Sequence, residues 1–390
     1  MSLKQKSRRD WGGLDLSSNY SEKILGDLVS YVTKGIPPKY TEEKSNQTIV
    51  VLNQKTNRDF QISYSQARLN DLTKKKVPQE KILKDNDILI NSTGVGTAGR
   101  VAQLFSVPEP TTVDGHMIIV RANCERIDPI YLGYAMKAQQ KIIESLQEGS
   151  TGQTELNRQR LLTEIIVTFP ETLDEQKEIG KLFYLIDQLI TENKKINHHL
   201  EQIAMAIFDD IFPDVSSGNN TIGEYIVPKR GKGLLSKDAI DGVVPVVAGG
   251  LRPAAYHNAA NTVAPVITIS ASGANAGYVN LWSVPVWSSD SSFIDKSMTN
   301  DVYFWYIMLK KRQQEIFDSQ TGSAQPHIYP KHIDIMPTIA LSDELIANYI
   351  EKVTPMFEQI GNNLNEIKVL QDTRDALLPK LMSGELSVVH

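Results

Sequence analysis

From Ile179 to Ile207 the apolar residues recur at alternating steps of three and four, through Ile179, Leu182, Ile186, Leu189, Asn193, Ile196, Leu200, Ile203 and Ile207. That spacing holds one stripe of side chains on one helical face and predicts a long helix with a heptad seam. The same rhythm returns as Ile346, Ile350, Val353, Phe357, Ile360, Leu364 and Ile367, so the chain carries two matching long helices. The first opens at Thr172, which forms a capping box with Glu175, and should stop near Phe212-Pro213. At 1.5 Å per residue it spans roughly 55 Å, more than packing one small domain requires, and reads as a spacer. The second opens at Ser342-Asp343-Glu344 and runs towards Leu386. Pro355 lies inside it and displaces the backbone bond to residue 351, which predicts a kink or a restart there.

The segments outside the helices repeat in order. Ile24-Leu25-Gly26-Asp27 with Lys34-Gly35 is echoed by Thr221-Ile222-Gly223-Glu224 with Arg230-Gly231. The run Ile88 to Gly94, closing with Gly99-Arg100-Val101, is echoed by Val266 to Gly273, closing with Gly277-Tyr278-Val279. Gly149-Ser150-Thr151-Gly152-Gln153 is echoed by Gly322-Ser323-Ala324-Gln325, and a heptad stretch comes next each time. Short apolar runs separated by turn residues, with one helix late in each half (Pro129 to Leu146 and Asp301 to Phe317), give an α+β class. Four regions result: globular 1–168, helical 169–212, globular 213–340 and helical 341–390. The middles differ, since Lys55 to Lys81 has no partner in the second half. Similar scaffolds therefore carry different surfaces.

At 390 residues the chain is long enough for two cores. It has no run of about 18 apolar residues and no signal-peptide core in its first residues, so a cytoplasmic location without membrane contact is expected. Its one cysteine, Cys124, excludes an intramolecular disulfide and a multi-cysteine zinc site and reads as core filler. Net charge is −5, but it is unevenly spread: residues 1–168 hold 23 basic against 19 acidic groups and residues 213–338 hold 10 of each. The helical stretches 169–212 and 339–390 hold 4 against 9 and 4 against 8. A phosphate backbone would meet the globular parts, not the helices.

The chain resembles the specificity subunits of type I restriction-modification systems along nearly its whole length. The resemblance rests on Asp87-Ile88-Leu89-Ile90 leading to Gly99-Arg100-Val101, on Asp174-Glu175-Gln176-Lys177-Glu178-Ile179, and on Gly322-Ser323-Ala324-Gln325-Pro326-His327. The ending Leu377-Leu378-Pro379-Lys380-Leu381-Met382-Ser383-Gly384-Glu385-Leu386 also fits. It implies two target-recognition domains separated by two helices that pair as an antiparallel intramolecular coiled coil. It also implies a non-catalytic reader of double-stranded DNA that binds two methyltransferase subunits and, through them, restriction subunits. S-adenosylmethionine, ATP and Mg would then be held by those partners, and this chain would hold no cofactor or metal of its own. The helices would set the number of unread bases between two half-sites.

Basic residues that could lie along phosphates cluster with glycine and proline at Lys34 and Lys39, at Lys75 within Lys74-Lys75-Lys76, and at Lys229, Arg230 and Lys232. Each could equally be solvated surface, although Lys34 and Arg230 are placed alike in the two halves. Candidates for base edges are Arg58, Arg100, Arg158, Arg160, Arg252, Gln325, His327 and Lys331. Gln325 and His327 could instead order a turn. Asn193 on the seam either fixes register or marks a water-bridged flaw. His198 and His199 fall off the seam and read as a solvated face, while Trp282, Trp287 and Trp305 read as core more readily than as base-stacking rings. Gly94-Val95-Gly96-Thr97-Ala98-Gly99 satisfies a dinucleotide-binding pattern, which would make the chain an oxidoreductase; the next run, Arg100 to Phe105, reads as a strand, where the pattern needs a helix. A coiled-coil adaptor without nucleic-acid contact is the third reading.

Overall fold

The computed structural model describes residues 20–149, 155–234, 236–322 and 325–387. The block 150–154 and the pair Ser323-Ala324, both part of the repeated glycine-serine block, lie outside the described residues, as do the first nineteen. Two compact units form, one from Met1–Leu189 with Leu370–His390 and one from Ile190–Val369.

The first unit contains strands β1 (Tyr20–Ile24), β2 (Val29–Lys34), β3 (Tyr40–Thr41), β4 (Thr48–Leu52), β5 (Arg68–Asp71), β6 (Asp87–Asn91), β7 (Val101–Leu104), β8 (Thr111–Val113) and β9 (Met117–Ala122). Helix α1 (Pro129–Ala138) and strand β10 (Ile166–Pro170) come next, and then the long helix α2 (Leu173–Ile211). The central sheet runs β2-β9-β6-β7, all antiparallel. Its inner strands are continuous apolar runs, Ile88-Leu89-Ile90 and Met117-Ile118-Ile119-Val120, buried on both faces, so they cannot be edge strands. A second sheet runs β8-β4-β5-β3, with β8 and β4 parallel.

The second unit repeats this plan with β11 (Lys229–Arg230), β12 (Val244–Val247), β13 (Ala255–His257), β14 (Val266–Ser270), β15 (Val279–Trp282), β16 (Trp287–Ser288) and β17 (Ser291–Asp295). Helix α3 (Val302–Lys311) and, as far as Val369, the second long helix, α4 (Asp343–Met382), complete it. The central sheet is β11-β17-β14-β15, which uses its strands in the same chain order as the first unit. The second sheet, β13-β12-β16, again contains one parallel pair. Each late helix expected as one piece is two: α1 is followed by Gln140–Ser145 and α3 by Gln313–Asp318. The first glutamine of each second piece has a task, since Gln140 Oε1 accepts the Val101 N–H at 3.1 Å and Gln313 Oε1 accepts the Val279 N–H at 2.9 Å. Both satisfy the opening residue of an edge strand of the central sheet, β7 or β15. The fold is α+β with two repeated globular parts and two long helices, as the sequence predicts.

The long helices pair antiparallel within each unit. In the second unit Asn193 bonds Glu366, Asn197 bonds Asn363, and the Ala204 carbonyl accepts the Tyr349 hydroxyl. In the first unit Asp187 meets Arg374, while Glu175 accepts from Ser387. Helix α4 runs through Pro355 as one helix, so the expected restart does not occur. Of the expected seam, Ile179, Ile186, Phe357 and Ile367 are buried and Leu182, Leu200 and Ile360 half-buried. Leu189, Ile196, Ile203 and Leu364 are instead between 45% and 50% exposed.

The stripe has turned by one position, towards Phe183, Ile190, Ala204 and Phe208. The cause is tertiary: the globular parts pack on that side, with Tyr134 and Phe183 ring centroids 5.4 Å apart in the first unit and Phe208 and Phe304 5.5 Å apart in the second. Asn193 is accordingly not the core polar residue. Asn363, 4% exposed, takes that place and donates to Asn197 Oδ1 at 2.7 Å, one turn along. Cys124 is exposed in the turn after β9 rather than filling the core, because the strand has already left the sheet. Trp305 is buried and Trp282 and Trp287 half-buried, and His198 and His199 are exposed. No helix among the described residues is long and apolar enough to cross a membrane.

Candidate nucleic-acid interface

In each unit an inner strand of the central sheet and the edge strand beside it, β6 with β7 and β14 with β15, are joined by a glycine hairpin turn. Gly99 N–H donates to the Asn91 carbonyl at 2.8 Å and Asn91 N–H to the Arg100 carbonyl at 3.0 Å; Gly277 with Ser270 and Ser270 with Tyr278 repeat both bonds. Gly99 and Gly277 sit at φ +85° and +87°, a left-handed conformation that side chains resist. A Cβ on Gly99 would also stand 2.6 Å from Glu144 Cα. Strand β7 comes directly after the glycines, so no helix N-terminus is available to cradle a pyrophosphate. The dinucleotide pattern here is a hairpin.

Beside each turn stands a cation at the end of the sheet's first strand. Lys34 pairs in register with Ile118, and Ile118 with Ile90; Arg230 pairs with Ser292, and Ser292 with Ile269. The two cations thus occupy the same point of the repeated sheet. Each is followed by a glycine against a carbonyl: a Cβ on Gly35 would overlap that of Val113, and one on Gly231 would lie 2.5 Å from that of Ser288. Each cation also holds a carboxylate from an unrelated stretch of chain. Lys34 Nζ is ion-paired to Glu155, and Arg230 Nη2 meets Asp290 Oδ1 at 2.6 Å. Both acids touch the hairpin side as well, Glu155 through a backbone bridge with Thr93 and Asp290 through the Ser272 hydroxyl.

Arg158 lines one cleft with Lys34, Glu148 and Glu155, and together with partial desolvation its guanidinium lowers the Lys34 amine below the usual lysine range, desolvation being the larger cause. His327 bridges Ser272 and Thr321 through its backbone, and its ring stacks on Tyr329 at 5.9 Å. It orders the turn and borders the site at once.

The remaining candidates are dispersed. Lys39 and Lys75 are drawn together by buried Asn70, whose Oδ1 accepts the Lys39 N–H and whose Nδ2 donates to the Lys75 carbonyl, both at 2.8 Å. Arg58 is exposed beside Asn57, which donates to the Arg100 carbonyl at 3.0 Å. Arg100 folds its own Nη2 onto the Gly96 carbonyl at 3.0 Å and braces the turn. Arg160 is engaged with Glu164 and Glu148. Lys229 neighbours Arg230 in one strand, so alternation sends it to the other face. Exposed Arg252 sits on the loop whose Gly249 carbonyl accepts from Asn275 of the second hairpin. Lys232, Gln325 and Lys331 lie at the surface, Lys331 in the short helix Pro330–Asp334. The acids Glu155 and Asp290 escape a reading of the sequence because regional charge counts assign acid to the helices; the signal for Asp290 is its place within Ser288-Ser289-Asp290-Ser291-Ser292.

Residues 17–202 match the family model described as "Type I restriction modification DNA specificity domain". The chain is similar to the specificity subunits of type I restriction-modification systems. It is 25% identical over 320 residues to the type I restriction enzyme MjaIX specificity subunit of Methanocaldococcus jannaschii, covering 71% of this chain and 73% of that one. It is 24% identical over 302 residues to a putative type I specificity subunit of Mycoplasma genitalium, covering 69% and 76%. Its fold resembles the crystal structure of a type I S subunit from M. genitalium with a TM-score of 0.63 at 19% identity, over 95% of this chain and 98% of that one. The Asp174-Glu175-Gln176 motif has a local explanation. Buried Gln176 accepts the Asp128 N–H and donates to the Pro170 carbonyl, both at 2.8 Å, and so ties α2 to the globular part of the first unit.

Proposed function

We propose that the chain is the sequence-reading subunit of a type I restriction-modification complex, in which each unit reads one half of a bipartite, asymmetric DNA site. The observation that carries this reading is the recurrence of the cation-and-hairpin site at one equivalent point of a repeated sheet, with different side chains each time. Two similar but non-identical surfaces suit two different half-sites, much as a symmetric dimer suits a palindrome. The chain itself is non-catalytic in this account. It binds two methyltransferase subunits and, through them, restriction subunits, and S-adenosylmethionine, ATP and Mg chemistry belongs to those partners. The antiparallel helices serve as the spacer that fixes how many bases stay unread.

The test is binding of the chain, with its methyltransferase subunits, to duplexes carrying the motif methylated in its host and to random duplexes across a salt series. The motif should bind more tightly, with affinity falling linearly in log salt. Equal affinity for both kinds of duplex would end the proposal.

A further inference from the structure

An acid placed among DNA-facing cations is a liability wherever phosphates pass, because it repels the backbone that the cations attract. Both units nevertheless hold one beside the first-strand cation. Glu155 and Asp290 come from different parts of the repeat, one ahead of the short helix Arg158–Glu164 and one from the serine turn between β16 and β17. Neither pair is buried: Lys34 and Glu155 are 37% and 49% exposed, Arg230 and Asp290 43% and 38%. They are therefore not core ion pairs holding the sheet together. A surface on which donor and acceptor stand side by side matches a base-pair edge, not a phosphate row. In the major groove guanine offers two acceptors, O6 and N7, and its cytosine offers the N4 amino donor next to them.

We infer that Lys34–Glu155 and Arg230–Asp290 are base-reading pairs, each addressing one G·C pair, the cation donating to guanine and the carboxylate accepting from cytosine N4. The inference rests on the DNA-reading function proposed for the chain and adds specificity-determining residues to it. The hairpin turn beside each pair fixes the aim: the Ser272 hydroxyl holds one oxygen of Asp290 while Arg230 takes the other, and the bridge to Thr93 holds the backbone of Glu155. Each half-site should then contain a G·C pair whose recognition depends on one acid.

The experiment measures binding of the full chain, complexed with its methyltransferase subunits, to a panel of duplexes in which every base pair of the host motif is replaced singly. Wild type should disfavour replacement of the read pair by about 10-fold or more, the discrimination typical of a good direct contact. Asp290→Ala should reduce that ratio to below about 3-fold at one G·C pair of one half-site and leave all other ratios unchanged. Glu155→Ala should do the same in the other half-site, so if one variant fails to fold the other still decides. A uniform rise in affinity with ratios intact would mean that the acids only screen phosphates, and a uniform loss would mean that they only support the fold; either overturns the inference. Wild type that shows no preference for its motif would instead refute the DNA-reading function itself.

Discussion

Removing the Asp187 carboxylate should destabilise the first unit by about 3 kcal/mol. Asp187 lies on α2 with its side chain 13% exposed, and its two oxygens serve three donors: the Tyr134 hydroxyl at 2.9 Å, Lys137 Nζ at 3.1 Å and Arg374 Nη1 at 2.6 Å. Lys137 and Arg374 are 14% and 15% exposed, so they cannot recover much hydration when the acid goes. Desolvation already depresses the Lys137 amine, with Asp187 opposing that shift. Breaking a buried pair from one side costs roughly 3–5 kcal/mol. The low end applies because Arg374 keeps Asp375 at 2.9 Å and the site is not sealed.

Urea unfolding of the full chain followed by circular dichroism measures this. With a slope of about 2–3 kcal/mol per molar, Asp187→Ala should lower the midpoint of the first unit by about 1 M or more. Lys177→Ala, which breaks only the exposed pair with Asp174, should change stability by less than about 0.5 kcal/mol. If the two variants proved equal, the hub would be decoration and the reasoning wrong.

Three further outcomes are expected. Gly99→Ala should cost roughly 2–4 kcal/mol, because it combines a left-handed backbone with the Glu144 clash, whereas Gly96→Ala, at φ +68° with open space around it, should cost only about 1 kcal/mol; thermal melts compare them. Stability should fall as pH rises above about 10, since buried tyrosines keep their protons in the fold while unfolded tyrosines lose theirs: burial first, and then Glu175, raises Tyr20 to about 12, and burial also raises Tyr131, Tyr134, Tyr306 and Tyr349. This stabilisation is complete below pH 10 and lost through the folded values, and Tyr306→Phe should flatten the alkaline slope of the denaturant midpoint. Finally, inserting four residues within Glu192 to Lys195 should change the unread spacer and leave both half-sites intact, a result that methylome sequencing reads directly; altered half-sites with the old spacer would refute the ruler.

Much of this architecture is legible because it is written twice. The repeated blocks around Lys34-Gly35 and Arg230-Gly231 fall on equivalent points of the sheet, and each glycine hairpin ends in a positive-φ glycine, Gly99 or Gly277, ahead of a strand. What periodicity cannot reveal is which side of each long helix the globular parts cover. Heptad counting weights Leu189, Ile196 and Ile203 like any apolar residue, whereas packing against Tyr134 and Phe304 favours the side bearing Phe183 and Phe208. The same rotation moves the polar register contact from Asn193 to Asn197 and Asn363. At the interface, scanning for cations finds Lys34 and Arg230 but misses Glu155 and Asp290, because each acid lies far from its cation in the sequence.

The central claim is most directly tested by sequencing the methylome of the host with and without this chain. The account predicts a bipartite, asymmetric methylated motif that is present with the chain and vanishes when it alone is deleted. Persistence of every methylated motif after deletion, or loss of one that is short and undivided, would contradict it.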